Sequence, residues 1–583
     1  MAATATPRTQ SSGLMNRYAA WRAARPRTAI TFVCDPQPRT IGSFVRGQSV
    51  LSGNFVFGGA LVEAPDTGIF DLEMPNDAFQ DDVQGFGWLD DLAAIGDGRS
   101  RQKAQDWTFT WITRHARGAG PGWTPALTGR RIIRWIDHGA FLLRGRDASQ
   151  TAAFYTALGR QARFLVRRWH AAPAGLARFE AIGGLLYAST SIAGLEPQIA
   201  VAAAALDHEC NLQIDMAGGL PSRNPEDLLT IFSLLSWTAQ ALYATGRAPL
   251  GGHRAALDRI APVLRALRHA NGALARFHGG GAGIEGRLDL ALDGAQTPAG
   301  AVLPETAMGY IRLAAGRTTV VVDAALPPSA DASLKAHAGP LAFELTSGRR
   351  PLIVNCGSGA AFGETWHRAG RATPSHSTLG IDGYSSSHLI PATPTGSGEI
   401  LVDGPSKVGI NRRKLDRGTQ VVIDHDGYGA SHGLTHSRNL LLTGDGRELA
   451  GEDTLAAVSD TERHRFEQVM TGTHLRGVAF AIRFHLHPDV MAALDEGTNA
   501  VTLMPKSGEL WLFRHDGVAT VSIEPSVYLE NSLRKPRATK QIVLSGRVLD
   551  FGQQIGWTLG KAHDTPYSIR DLAFDAVPDF HDS

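Results

Sequence analysis

Two histidines and one asparagine stand at the ends of strand-like segments in the second half of the chain. His337 precedes the segment LAFELTSGRRPLIVN, Asn355 is its last residue, and His376 opens the segment HSTLGI. Imidazole nitrogens bind zinc, and they also carry protons in acid–base catalysis. If these strand ends meet, His337, Asn355 and His376 form one site, in which the two histidines either bind a metal or are only hydrogen-bonded within the protein.

Lys335 and Tyr310 are further candidates for proton transfer. Lys335 stands two residues before His337, and Tyr310 is the first residue of the strand-like run YIRLAA. Lysine amines and tyrosine hydroxyls act as general acids or bases when their surroundings adjust their pKa values. The predicted catalytic group is Lys335 or His337 as base or acid, with Tyr310 as acid.

Three arginines and a histidine are candidate contacts to an acidic ligand. Arg223 follows a glycine pair, Arg371 lies shortly before His376, and His436 and Arg438 stand two residues apart in a predicted strand. Strand alternation places His436 and Arg438 on one face. Guanidinium groups bind carboxylates through two parallel hydrogen bonds, so these residues predict an acidic ligand.

The spacing of the apolar residues changes near residue 300. From Gly85 they recur at helical spacing, as in WLDDLAAI, whereas from Tyr310 many short runs such as LAFELTS and PLIVNC alternate as strands do. Antiparallel helix pairs fit a bundle or an incomplete α/α toroid, and many short strands fit an antiparallel β-sandwich. We predict a lead-in at 1–80, a helical domain at 81–300 and a β-sandwich domain at 301–583.

Composition limits the partners that this chain can have. A formal net charge of +1 over 583 residues gives no general attraction to nucleic acid. The three cysteines Cys34, Cys210 and Cys356 are too few and too far apart for a disulfide framework. No apolar run of membrane-spanning length and no signal-peptide pattern is visible, so we expect a cytoplasmic protein without a membrane span. The sequence does not predict the oligomeric state.

Several segments resemble, in order, the heparinase II/III-like polysaccharide lyases. The second half carries AHAGPLAFEL, LIVNCG, SHSTLGIDG, THSRNLLLTGDGRELAGEDTL, FHLHPDV and KQIVLSG, and the helical half carries the loop NLQIDMAGGLPSRNPEDLL. The resemblance implies an incomplete α/α toroid followed by an antiparallel β-sandwich, with the ligand in the cleft between them. It also implies a catalytic histidine and a zinc site at His337, Asn355 and His376.

The activity implied by the resemblance is that of a carbon–oxygen lyase acting on an acidic, uronic-acid-containing polysaccharide. β-Elimination needs a neutralised C6 carboxylate, a base for the C5 proton and an acid for the O4 leaving group. Lys335, His337 and Tyr310 are the predicted base and acid. Arg223, Arg371, His436 and Arg438 are the predicted substrate contacts, and Zn²⁺ is the predicted cofactor.

A second interpretation is a non-catalytic glycan-binding or cell-envelope accessory protein on a lyase scaffold. Asn355 stands where the family has an aspartate, and Ala217 and Leu220 stand where it has aspartate and histidine. Lys335 stands where it has another histidine. The absence of an export signal also favours this alternative. Activity on uronic-acid polysaccharides distinguishes the two.

Overall fold

A computed structural model describes residues 7–24, 31–33, 38–284, 286–295, 297, 303–392, 398–530 and 535–563. Cys34 lies outside these residues. Cys210 and Cys356 are both buried free thiols.

The first part of the described chain is helical apart from one short hairpin, which is formed by β1 (Asn54–Phe57) and β2 (Ala60–Glu63). Its helices are α1 (Pro7–Ala23), α2 (Phe44–Leu51), α3 (Asp77–Gly85), α4 (Gly87–Ile95), α5 (Gly98–His115), α6 (Pro125–Asp137), α7 (Gly139–Leu143), α8 (Ala148–Arg168), α9 (Leu176–Ser191), α10 (Gln198–Gln213), α11 (Pro225–Ala244), α12 (Gly251–Ala266) and α13 (Arg287–Gly294).

Helices α6 and α9 pack closely in the middle of this domain because two glycines face each other. A Cβ atom added at Gly184 would lie 2.4 Å from Gly129 Cα, so neither residue can carry a side chain without moving a backbone. α9 in turn packs against α10 and α11, and α11 against α12. This succession of packed helices is consistent with the predicted α/α toroid.

The start of α11 fixes the loop that reaches the second domain. The Asn224 side chain accepts the N–H groups of Glu226 and Asp227, and Pro225 occupies the first helical turn. Both features are strong helix-start signals. Arg223, immediately before this cap, is therefore held at a defined position.

From Tyr310 the chain is mainly strands. These are β3 (Tyr310–Ala315), β4 (Thr318–Asp323), β5 (Phe343–Ser347), β6 (Arg350–Val354), β7 (Leu379–Ile381), β8 (His388–Pro391), β9 (Glu399–Val402), β10 (Val408–Leu415), β11 (Gly418–Tyr428), β12 (Leu434–Thr443), β13 (Glu448–Ala456), β14 (Val478–Leu486), β15 (Val490–Asp495), β16 (Ala500–Pro505), β17 (Leu510–His515), β18 (Thr520–Tyr528), β19 (Arg537–Val548) and β20 (Gly552–His563). The helices among them are α14 (Glu364–Arg371), α15 (Gly429–His432) and α16 (Asp460–Gly472).

Within the described residues β8 and β9 form a separate two-stranded sheet, and the other strands from β3 onward form two large antiparallel sheets that pack face to face. One has the order β10-β11-β12-β13-β20-β17-β16-β15, and the other β18-β19-β14-β6-β5-β4-β3 with β7 beside β14. Aromatic side chains join them: Phe343 stacks on Trp557 at 5.9 Å between ring centroids, and Phe484 meets Phe513 at 4.9 Å. The predicted order, a helical domain followed by an antiparallel β-domain, is confirmed.

Buried ion pairs join the two domains. Arg276, after α12, donates to Asn355 O at 2.5 Å and lies 3.4 Å from the Glu344 carboxylate. Glu344 also accepts the Arg276 N–H and faces His269. Among the described residues, no helix combines the length and hydropathy that a membrane crossing requires.

Candidate functional site

A cavity of about 320 Å³ lies where the helical domain meets the β-domain. The helical domain contributes the loop before α9, the Leu220–Asn224 loop, the first turns of α11 and His278, and the β-domain contributes the segment 331–335. Its polar lining includes Ser222, Asp227, His278 and Lys335. This is the cleft between domains that the sequence predicts as the ligand site.

Lys335 is the only predicted catalytic residue that lines this cavity. Its side chain is exposed at the edge of the cleft, where its Cβ lies close to Gly279. His337 and Tyr310 do not line the cavity. The catalytic role of Lys335 stays a prediction.

His278 lines the cleft, although the sequence analysis did not single it out. Its Nδ1 accepts the His337 N–H at 3.1 Å, and its Nε2 lies 3.2 Å from Asp323 Oδ2. Nδ1 therefore carries the lone pair, and Nε2–H faces the carboxylate. Burial lowers the pKa of His278, and Asp323 opposes that shift. The lone pair of Nδ1 accepts the His337 N–H and Nε2 carries the ring proton, so neutral His278 has no free lone pair for a substrate proton.

His337 and His376 meet directly beneath this wall of the cleft. His376 Nδ1 lies 2.9 Å from Ala372 O, and a carbonyl only accepts, so Nδ1 carries the proton. His376 Nε2 must then accept from His337 Nδ1–H, 3.0 Å away. Gly339 makes room for this pair, because a Cβ there would lie 2.6 Å from the His376 ring.

The His337–His376 bond leaves His337 Nε2 with a lone pair that has no partner among the described residues. Burial lowers the pKa of His376 to about 4 and that of His337 well below its usual value, and the positive charge of Arg371 adds to the lowering at His337. Both rings are therefore neutral at neutral pH. His337 Nε2 is a buried base enclosed by the protein.

Asn355 lies near the histidine pair without forming a ready set of zinc ligands. Its Oδ1 already accepts the Ser377 N–H at 2.9 Å, and its buried Nδ2 has no partner in the described part of the chain. A nitrogen donor is not a zinc ligand, and the described residues contain no group of three or more His, Cys, Asp or Glu side chains placed to hold a metal. These residues therefore do not fit a zinc ion as they stand, and zinc binding stays a prediction.

Tyr310 and Arg223 form a contact between the domains. The Tyr310 hydroxyl donates to Arg223 O at 2.6 Å, and the guanidinium of Arg223 lies 4.7 Å from the centre of the Tyr310 ring. Burial raises the pKa of Tyr310 well above its usual value. The hydroxyl proton is thus held within the protein, away from the cleft.

The Arg223 guanidinium is fully engaged by the β-domain. It donates to Asp323 Oδ1 at 2.5 Å and to the carbonyls of Met308, Gly309 and Leu326 at 2.9–3.1 Å. Burial disfavours its charge, yet the Asp323 carboxylate outweighs this and the pKa of Arg223 is raised. Arg223 fastens the α11 loop to β4 in this structure, and its proposed contact with substrate stays a prediction.

Arg371 holds the segment that carries Lys335 and His337. Its buried guanidinium donates to the carbonyls of Ser333 and Ala336 at 2.7 Å and to Glu399 O at 3.0 Å. All three partners are backbone carbonyls. Arg371 therefore acts here as a positioning residue for the wall of the cleft.

His436 and Arg438 lie on one strand face, as alternation predicts, and that face is inside the sandwich. Both are fully buried, and both bond to Asp453 at 2.7–2.8 Å. Arg438 also donates to Leu341 O and Ser377 O, each at 2.9 Å. It thereby fixes the backbone next to His376, and its role in binding substrate stays a prediction.

The structure thus places the predicted residues in four groups. Lys335 lies in the cleft, with Arg371 holding its segment. His337, His376 and Asn355 lie behind the cleft, Tyr310 and Arg223 lie in the domain contact, and His436 and Arg438 lie in the sandwich core. His278 and Asp323 were missed. The sequence gives only weak signals for these two residues. His278 lies in FHGGG, whose glycines are typical of a linker, and Asp323 ends an apolar strand, where a turn residue is common.

Comparison with known proteins is informative over most of the chain. A sequence model of the heparinase II/III-like C-terminal domain matches residues 297–558. FtsZ-localized protein C of Caulobacter vibrioides is 31% identical over 525 residues, which cover 88% of this chain and 88% of that protein.

Solved structures share the fold at low sequence identity. Heparinase III superposes with a TM-score of 0.67 at 14% identity, over 94% of this chain and 89% of that one. Heparan sulfate lyase of Pedobacter heparinus gives a TM-score of 0.55 at 13% identity, over 95% and 89% of the two chains. The family model matches the second half of the chain, a relative matches 88% of the chain, and heparinase III shares the fold. The chain therefore belongs to the heparinase II/III-like family.

Proposed function

We propose that this chain is a non-catalytic accessory protein that localises with FtsZ and keeps a glycan-binding cleft on a polysaccharide-lyase scaffold. One observation carries the proposal. Of the groups that β-elimination would use, Tyr310 donates its hydroxyl proton to Arg223 O, and His337 does not line the cleft. His278 does line the cleft, but its Nδ1 lone pair accepts the His337 N–H.

The lining of the cleft supports binding more than turnover. A lyase needs a group that neutralises the uronate, a base and an acid that all reach the bound sugar. The three predicted arginines, Arg223, Arg371 and Arg438, are buried and donate hydrogen bonds to carboxylates or carbonyls of the protein. Lys335 is left as the cation in the lining of the cleft, which also includes the carboxylates of Asp227 and Asp331. A lysine, carboxylates and neutral polar groups can hydrogen-bond a sugar without cleaving it.

The association with FtsZ rests on the relative. FtsZ-localized protein C is similar over 88% of both chains, whereas the lyases resemble this chain at 13–14% identity. We extend the localisation in that protein's name to this chain, and with it a cytoplasmic location. The ligand proposed for the cleft is an acidic oligosaccharide.

Two experiments test the proposal. The chain should sediment with polymerised Caulobacter vibrioides FtsZ, and it should produce no absorbance of 4,5-unsaturated uronate from heparan sulfate, chondroitin sulfate or alginate. Lys335→Ala should weaken retention of these glycans without changing sedimentation with FtsZ, because Lys335 is exposed at the cleft. Lys414→Ala, on the distant β10 strand, is the matched control. Failure to sediment with FtsZ overturns the proposed localisation with FtsZ. Formation of unsaturated product overturns the proposal that the chain is non-catalytic.

A second candidate is the lyase itself, and His337 favours it. The Nε2 lone pair of His337 has no partner in the described structure. His337 is two residues after Lys335 in the sequence, and Lys335 lines the cleft. In this case the cleft must open to expose the lone pair, and His337 would remove the C5 proton. His337→Gln should then abolish formation of unsaturated uronate, whereas Tyr310→Phe should leave it within a few-fold, because the Tyr310 hydroxyl is committed to Arg223 O. Product formation that survives His337→Gln rules out this mechanism.

A further inference from the structure

Strand β15 is an exposed sheet edge that lacks the usual protection. It pairs with β16 on one side and is the last strand of its sheet in the described part of the chain. Its sequence VMAALD has neither lysine, arginine nor proline. Exposed edges normally carry such residues, because a free row of N–H and C=O groups recruits other strands.

The other outer strands show the protection that β15 lacks. At the opposite edge of the same sheet, β10 carries Arg412, Arg413 and Lys414 in succession, all exposed. In the second sheet, the edge strand β18 contains Pro525. The contrast indicates that β15 is kept available for pairing.

A groove of about 710 Å³ runs beside β15. Its floor includes Met491 and Met504, which are cross-strand partners on β15 and β16 and are 62% and 36% exposed. Methionine is flexible and polarizable, so a methionine pair adapts to different apolar side chains. Leu510 and Pro488 extend the apolar lining, and Lys540 of β19 stands on the far wall.

Lys540 contacts a backbone carbonyl of β15 that does not pair with β16. The Lys540 Nζ donates to Ala492 O at 3.4 Å, so this carbonyl points away from β16. In an antiparallel strand the N–H and C=O of one residue point the same way. The Ala492 N–H therefore also faces the groove, where an added strand would pair with it.

The charge around the groove selects its occupant. Lys506, Arg537 and Lys540 stand near the Pro488 end of the groove with Asp489, which lies 3.0–3.2 Å from Arg537 and Lys506, whereas Asp495 ends β15 at its other end. The excess of cations near Pro488 favours a negatively charged partner at that end.

We propose that this groove binds an extended, acidic and apolar peptide segment of another protein, which adds to the sheet beside β15. Backbone hydrogen bonds to Ala492 would supply affinity, the methionine pair would hold alternate apolar side chains, and the cations would select acidic ones. The groove shares no lining residue with the cleft at His278 and Lys335, so it is independent of the proposed glycan site.

The test uses a fluorescein-labelled peptide in which glutamate alternates with leucine and valine, and a counterpart with lysine for glutamate. Fluorescence anisotropy with the full chain should give saturable binding of the acidic peptide, about tenfold or more tighter than the lysine peptide. Lys540→Glu should reverse this preference, and Lys414→Glu on β10 is the matched control. Absence of saturable binding, or equal binding of both peptides, overturns the proposal.

Two further variants test the mode of binding. Ala492→Pro removes an N–H that faces the groove, so it should abolish peptide binding while the thermal unfolding temperature stays near that of Ala492→Ser. Peptide binding that persists in folded Ala492→Pro overturns strand addition.

Rival occupants give distinct results. A dimer in sedimentation equilibrium that Ala492→Pro dissolves would assign the groove to a second copy. Residues 564–583 of this chain are also acidic and apolar. If Asp571→Lys with Asp575→Lys in the full chain strengthens peptide binding about tenfold, this segment competes for the groove. Either outcome overturns the proposal of an external partner.

Discussion

His337 donates a hydrogen bond to His376 across 3.0 Å, and the Ala372 carbonyl decides the direction of this bond. The carbonyl accepts from His376 Nδ1, which leaves His376 Nε2 as acceptor. Two neutral imidazoles thus form a directed chain whose free end, His337 Nε2, is a lone pair without a partner among the described residues. In this structure His337 does not line the cleft, so this proton acceptor is enclosed by the protein.

Long-range ¹H–¹⁵N correlation spectra of histidine-labelled protein should find both residues in the Nδ1–H tautomer at neutral pH. Nδ1–H is the tautomer that both observed bonds require, since His376 donates to Ala372 O and His337 donates to His376. His376→Ala should leave His337 Nδ1 buried without an acceptor and lower the free energy of unfolding by about 1–3 kcal/mol. An Nε2–H tautomer at His376 would contradict the deduced direction.

Removal of Arg223 should loosen the contact between the domains. Its charge is buried and bonded to Asp323, so Arg223→Ala leaves that carboxylate uncompensated, and we expect a loss of about 3–5 kcal/mol in urea unfolding. Arg268→Ala is the matched control, because Arg268 and Asp289 form a largely exposed pair that contributes about 1 kcal/mol or less. Similar losses in the two variants would show that burial does not distinguish these pairs.

His253 should make stability depend on pH. Burial lowers its pKa to about 4, against the smaller opposing effects of the Leu235 carbonyl and Asp207, while Arg254 adds slightly to the lowering. The unfolded chain titrates near 6.5, so between pH 6.5 and 4 it binds more protons than the folded chain. The free energy of unfolding therefore falls as pH decreases through this window, by up to about 3 kcal/mol.

The measurement for His253 is urea unfolding at several pH values between 7.5 and 4. His253→Gln should give a shallower decline than the parent protein. His464→Gln, at an exposed position on α16, should leave the decline unchanged. Parallel curves for the parent and His253→Gln would assign the pH dependence to other groups.

The fold could be predicted because the apolar spacing is local and changes near residue 300. The strands predicted at LAFELTS and PLIVNC and the shared strand face of His436 and Arg438 follow from alternation alone, and the structure has both. Alternation cannot tell which face is buried in a sandwich. His436 and Arg438 were expected at a ligand surface, whereas Asp453 holds them in the core.

The partners of the site residues depend on long-range contacts that no spacing in the sequence encodes. Arg223 meets Asp323 across 100 positions, and His278 meets His337 across 59. His278 lies in a glycine-rich stretch that reads as a linker. Only folding of the two domains onto each other gives this histidine its place in the cleft.

Asn355→Asp should strengthen zinc binding at the histidine pair. The amide oxygen carries no net charge and is occupied by the Ser377 N–H, whereas an aspartate would add a charged oxygen of the kind zinc prefers beside two imidazoles. We expect zinc to raise the thermal unfolding temperature of Asn355→Asp more than that of the parent protein. Ligand at 100 times its dissociation constant stabilises the folded state by about 2.7 kcal/mol.

Asn411→Asp, which adds the same charge on exposed β10, is the matched control for nonspecific metal binding. Metal analysis after desalting should parallel the thermal shifts, with more zinc retained by Asn355→Asp than by the control. Equal responses in all three proteins would show that zinc does not use the Asn355 position. If the parent protein retains stoichiometric zinc that His376→Ala loses, the amide at Asn355 is sufficient, and the zinc site predicted from the sequence holds in spite of the Ser377 contact.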